Sequence, residues 1–136
     1  MNLPSEQQAY DLIEKYATST KQHLYQVGAI MKYFWEKLGE DSHYWWLVWV
    51  LHDIDWDYIG KDGDKHMTDD FEKIMAEIDS PAELLADIRS HGYFLPQISE
   101  EPDTLVRKYI NAVDELSGFI WHILEWFRVM MWWISK

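Results

Sequence analysis

The chain has 136 residues, no cysteine, and a formal net charge of −12 from 12 Lys and Arg against 24 Asp and Glu. That length suits one domain with a sizeable core. It excludes a disulfide framework, a cysteine zinc site and a thiol nucleophile, and the scattered basic residues argue against a nucleic-acid surface. A hydrophobic fraction of 48% argues against disorder, which leaves six histidines and nine tryptophans as the counts that need explaining. Residues Met1 to Gln8 show no basic or apolar leader pattern. Phe119 to Ile134, the most apolar stretch, is broken by His122, Glu125 and Arg128 and falls short of about 20 residues, a poor membrane span. A cytoplasmic protein without a membrane partner is the expectation.

The pattern reads as helix throughout, with no convincing strand. Ser5 and Gln8 form a capping box ahead of an apolar stripe, Ala9, Leu12, Ile13 and Tyr16, ending near Thr18. A second helix spans about Thr20 to Leu38 with Gly39 as its C-cap, and His23, Val27, Ile30 and Phe34 lie on its inward face. A third, from Asp41 or Ser42 to Leu51, is apolar nearly all round and should be the buried centre. Asp53 to Asp64 reads as loop. A fourth helix begins near Thr68, with Phe71, Ile74, Met75 and Ile78 inward. Ser80 as N-cap, Pro81 at the first helical position and Glu83 open a fifth, which ends near His91 and Gly92. After a loop from Tyr93 to Pro102, a sixth starts near Asp103 and runs through Val106, Ile110, Val113 and Asp114, with a bend expected at Gly118.

Six metal-ligand residue types recur at helix ends or on inward faces: His23, His52, Asp53, His66, His91 and Asp114. Imidazole and carboxylate suit a divalent metal among Zn, Fe, Mn, Ni, Co and Mg. A buried ionised carboxylate costs several kcal/mol unless it is paired or metal-bound. Helices that each aim such a group inward are therefore hard to explain as packing. The competing reading for any one of them is a hydrogen-bonded core histidine or a helix-terminal cap. His66 stands between a loop and a helix start, where it is the weaker candidate. His43 is expected to be solvated, and His122 lies two turns beyond Asp114.

The order His23, His52-Asp53, Asp114 resembles the HD superfamily of metal-dependent phosphohydrolases. The blocks Val50 to Asp57, Asp64-Lys65-His66, Ile88 to His91 and Ala112 to Ile120 are similar to its small bacterial members, and the resemblance as a whole spans residues 1 to about 120. The resemblance implies an all-α, HD-domain-like bundle of about six helices in one domain, 1–136. It implies a metal held by His23, His52, Asp53 and Asp114, and a second ion at His66 and His91 with Asp53 as bridge. The implied reaction is hydrolysis of a phosphate ester or nucleotide, and a dinuclear iron branch of the superfamily performs oxygenation instead. Asp53 joins Asp57, Lys61 and Arg89 as the candidate catalytic set. Asp57 or Asp55 either orients the attacking water or caps the loop. Lys21, Lys61, Lys65 and Arg89 are the cations nearest in sequence for a phosphate, or else solvated surface charges.

From Trp121 onward the resemblance ends. Trp121, Trp126, Trp132 and Trp133 crowd the tail, and Trp45, Trp46 and Trp49 crowd the third helix. Overpacking costs about 1–3 kcal/mol per site unless the surroundings change. A shortened or redesigned domain is the expectation. Its aromatics either rebuild the core, form an aromatic pocket for an apolar ligand, or make a homodimer interface through the C-terminal helix. A binding or assembly protein on this scaffold is thus the alternative to an enzyme acting on a small-molecule substrate.

Overall fold

A computed structural model describes residues 2–134, apart from the side chains of residues 32, 120, 121, 124, 125, 127, 129 and 132–134. Its elements are α1 (Glu6–Tyr16), α2 (Lys21–Leu38), α3 (Ser42–Val50), α4 (Asp69–Ala76), α5 (Ala82–Arg89), a single 3-10 turn (Ser90–Gly92) and α6 (Leu105–Ile134). The described residues contain no strand, and none of the helices is long and apolar enough to cross a membrane.

The helix starts show why these segments form. At α1, Ser5 N–H donates to Gln8 Oε1 at 2.9 Å and Gln8 N–H returns to Ser5 Oγ at 3.3 Å, which satisfies two amides at once. At α3, Asp41 Oδ1 accepts from the Tyr44 amide at 2.9 Å. Gly39 closes α2 at φ 72°, where its amide donates to the Trp35 carbonyl at 2.9 Å. The capping expected of Ser80 is absent: Pro81 occupies the cap position of α5, and the Ser80 hydroxyl is buried without a partner.

Helix α3 is the centre. Trp45, Leu47, Val48, Trp49 and Val50 are all buried, and α3 packs against α1, α2, α5 and α6. Truncating a fully buried side chain such as Trp49 costs about 3–5 kcal/mol, although its own indole N–H has no acceptor. The span from Leu51 to Met67 is a run of hydrogen-bonded turns, among them Trp56 to Asp53 and Ile59 to Asp55, rather than open loop.

Helix α6 runs without interruption through Gly118 to Ile134. Val106, Ile110, Val113 and Ser117 are buried along its first half. Beyond them Phe119, Ile123, Trp126, Met130 and Met131 are exposed. The described aromatics of the tail, Phe119 and Trp126, are exposed and therefore do not rebuild a core. The side chains of Trp121, Trp132 and Trp133 lie outside the described residues.

Candidate metal centre

Five segments deliver the ligand-type side chains. His23 comes from the first turn of α2, His52 and Asp53 from the turn that ends α3, His66 from the turn before α4, His91 from the 3-10 turn, and Asp114 from the middle of α6. Asp53 sits between two imidazole pairs. Its Oδ1 lies 3.2 Å from His66 Nε2 and 3.3 Å from His91 Nε2. Its Oδ2 lies 3.5 Å from His52 Nε2 and 3.8 Å from His23 Nε2. Asp114 Oδ1 completes the first pair, 3.3 Å from His23 Nε2 and 3.5 Å from His52 Nε2. His23, His52 and Asp53 offer ligand atoms within 4.8 Å of one another, as do Asp53, His66 and His91.

The far sides of the rings are anchored. His52 Nδ1–H donates to the Trp49 carbonyl at 2.7 Å, and His91 Nδ1–H donates to the Ile88 carbonyl at 2.6 Å. His66 Nδ1–H donates to Asp55 Oδ1 at 2.9 Å. Those partners fix the tautomer and leave each Nε2 with a lone pair aimed at Asp53. His66 Nε2 and His91 Nε2 then face each other at 3.2 Å. Two lone pairs at that distance repel unless a cation or a proton stands between them. His52 Nε2 and His23 Nε2 are 3.1 Å apart. Separations of this size suit neighbouring ligands on one ion with bonds of about 2.1 Å, and the nitrogen and oxygen donor set suits a divalent transition metal.

The electrostatics agree. Burial of His52 disfavours its charged form, yet the Asp53 and Asp114 carboxylates outweigh that and push its pKa up to about 9. Burial likewise opposes charging His66, but Asp53 and Asp55 push it up to about 9. Burial would raise the Asp53 and Asp114 carboxyls, but the surrounding imidazoles hold both well below the usual range. A cluster that favours positive charge in this way could hold a cation.

Asp55 and Asp57 part company. Asp55 is fully buried, and besides His66 it accepts from the Met67 amide at 2.7 Å. That contact holds Met67 at φ 56°, a left-handed conformation uncommon for its type. Asp57 makes the contacts of a cap, the other reading offered for it. It accepts from the amides of Ser19 and Thr20 at 2.7 and 2.8 Å and from the Ser19 hydroxyl at 2.5 Å. Thr20 gives α2 no side-chain cap, so Asp57 supplies one from 37 residues away.

The candidate phosphate cations are also committed elsewhere. Lys61 lies 3.9 Å from Asp57, Lys21 lies 2.6 Å from Glu14, and Lys65 lies 3.4 Å from Asp62. Arg89 Nη1 bonds Glu72 at 2.7 Å, and its Nε lies 3.3 Å from Glu100 but out of line for a hydrogen bond. His43 is not solvated: it is half-buried and donates to the Pro4 carbonyl at 2.8 Å.

Sequence reasoning overlooked Asp87, which is buried and accepts from Tyr44 Oη and Arg107 Nε, each at 2.7 Å. Its signal was an acid on the same face as Leu84 and Ile88. It also overlooked Asn111, whose amide donates at 3.1 Å to the Ser90 carbonyl beside His91. Gly92 was named only as a helix end. A Cβ there would fall 2.2 Å from Met67 Cε and 3.2 Å from Leu95 Cδ1, so a side chain after His91 would require the tip of Met67 to move aside.

The comparison with curated proteins and that with solved structures each gave no match. The model of the HD domain matches residues 20–118, which include all six clustered ligands. The chain belongs to the HD domain family, the metal-dependent phosphohydrolase superfamily.

Proposed function

We propose that the protein hydrolyses a phosphate ester of a small molecule or nucleotide with one or two divalent ions held at the six-residue cluster. The observation that carries this reading is Asp53, whose two oxygens face two different imidazole pairs. A divalent ion there supplies acidity to water near neutral pH and polarisation to the phosphoryl oxygens. The protein's part is positioning. The Trp49 and Ile88 carbonyls and Asp55 hold three imidazoles with Nε2 inward. Trp56, Phe94 and Leu95 wall one side of the cluster and limit water there.

The test is a phosphatase screen with p-nitrophenyl phosphate and its bis ester in Mn, Co, Ni, Mg and ferrous ion. Wild type is compared with Asp53→Ala and His52→Ala. Metal-dependent turnover that both substitutions abolish supports the reading. Bound metal without turnover of any ester sinks it. Oxygen consumption with ferrous ion and no phosphate release replaces it with the oxygenase chemistry of the superfamily. A second reading, assembly of two copies through α6, is favoured by the exposed Phe119, Ile123, Trp126 and Met131. Light scattering checks it, and a monomer removes it.

A further inference from the structure

Two cavities flank the cluster. One, of about 200 Å³, lies over Asp53, His66 and His91 and is walled by Trp56, Phe94 and Leu95. The other, of about 300 Å³, runs between α2 and α6 from His23 to His122 and is lined by Gln22, Gln26, Ser117 and Gly118. Both stand at or below the lower end of small-molecule sites. Neither lining contains Lys or Arg. The nearby cations are already paired with Glu14, Asp57, Asp62, Glu72 and Glu100. The chain as a whole carries −12. Two divalent ions set against Asp53, Asp114 and the buried Asp55 leave a small positive surplus. That suits one phosphoryl group and not a polyphosphate chain.

The second cavity differs from the first in its chemistry. Gln22 and Gln26, both exposed, stand one turn apart on α2, and their side-chain amides make no hydrogen bond among the described residues. The same holds for His122. Each amide offers both a donor and an acceptor, which matches a hydroxyl better than an alkyl or aryl group. Ser117, whose hydroxyl donates to the Asp114 carbonyl at 2.8 Å, joins this wall directly to the cluster.

We infer that the α2–α6 cavity receives the uncharged, hydroxyl-bearing leaving group of a substrate with a single phosphate, of the size of a sugar monophosphate. This rests on the phosphohydrolase reading. Hydrolysis joins the oxygen of water to phosphorus and breaks the bond from phosphorus to the ester oxygen. One hydrogen of that water stays with the phosphate and the other ends on the departing hydroxyl. Gln22, Gln26 and His122 hold the hydroxyls of that group and select it.

The experiment measures kcat/KM for ribose 5-phosphate, phenyl phosphate and ADP with the same metal. The proteins are wild type, Gln22→Leu with Gln26→Leu, and Gly118→Leu. A Cβ at Gly118 meets nothing within 4 Å, so that variant fills the cavity without forcing the helix. Ribose 5-phosphate is expected to exceed both other esters by more than about tenfold. Each variant is expected to erase that preference by lowering ribose 5-phosphate turnover toward that of phenyl phosphate, while metal content stays within about twofold of wild type. Phenyl phosphate equal to ribose 5-phosphate, ADP preferred, or a preference that survives both variants overturns the inference.

Failure of the parent reading looks different, since no ester then releases phosphate with any metal. In that event saturation-transfer NMR with ribose on the metal-free protein decides. Signals lost in the glutamine variant keep the cavity assignment, and no signal in wild type overturns it.

Discussion

The two imidazole pairs are not built alike. His66 and His91 are each 5% exposed, and both rings are anchored through Nδ1, one to Asp55 and one to the Ile88 carbonyl. In the other pair His52 is fully buried and anchored to Trp49, but the His23 side chain is 31% exposed and Asp114 32%. One half is a buried and oriented socket beneath the smaller cavity, and the other is more exposed and borders the α2–α6 cavity through His23. The contrast teaches a division of labour. Rigid anchoring favours tight retention of an ion, and an open side favours exchange of water and substrate.

Asp53→Ala is the substitution that breaks the comparison altogether, because it removes the oxygens that serve both halves. Metal analysis should show loss from both, with turnover down by more than about a hundredfold. His91→Ala set against His23→Ala separates the halves. Calorimetric titration should lose the tighter binding event in the first and the weaker one in the second. If both variants lose the same event, the halves are not distinct. Asp55→Asn sharpens the contrast further. It leaves every ligand in place but weakens the anchor of His66, and should cost about 10–100-fold in metal affinity in the buried half alone.

A smaller effect is expected from pH. In the metal-free protein His52 and His66 are raised from 6.5 to about 9. The folded state then binds protons more tightly than the unfolded chain, so this stabilisation is complete below pH 6.5 and is lost as pH rises toward 9. Thermal scans should show Tm falling across that window, and added metal should flatten the fall by replacing the protons. Asp57→Ala touches neither half. Denaturant unfolding should show a loss of about 1–2 kcal/mol from the missing helix cap, with metal content unchanged. A drop in metal content would move Asp57 into the site.

Much of this architecture is written in short-range patterns. The Ser5 and Gln8 box, the 3- and 4-residue spacing of apolar groups on α2, and Gly39 act within one or two helical turns, so they can be read without tertiary information. The clustered ligands are legible for another reason: His23, His52-Asp53 and Asp114 keep the order of the family. What is hidden depends on distant partners. Asp57 looks like a site acid because it follows the His-Asp doublet, yet its donors are Ser19 and Thr20. Arg89 looks like a phosphate ligand because it precedes His91, yet Glu72, 17 residues away, claims it. Asp87 looks like an ordinary helix acid until Tyr44 and Arg107 close on it. Periodicity gives the face of a residue but not the identity of its neighbour on another element.

The reach of Asp57 across to the start of α2 sets an order of events during synthesis. A nascent chain that has emerged only through Leu38 already contains His23, but the amides of Ser19 and Thr20 still point at solvent, because their acceptor has not been made. When the turn that carries His52 and Asp53 folds, the same few residues deliver both the next ligands and the clasp that steadies the first. The start of α2 is thereby completed only when that segment closes.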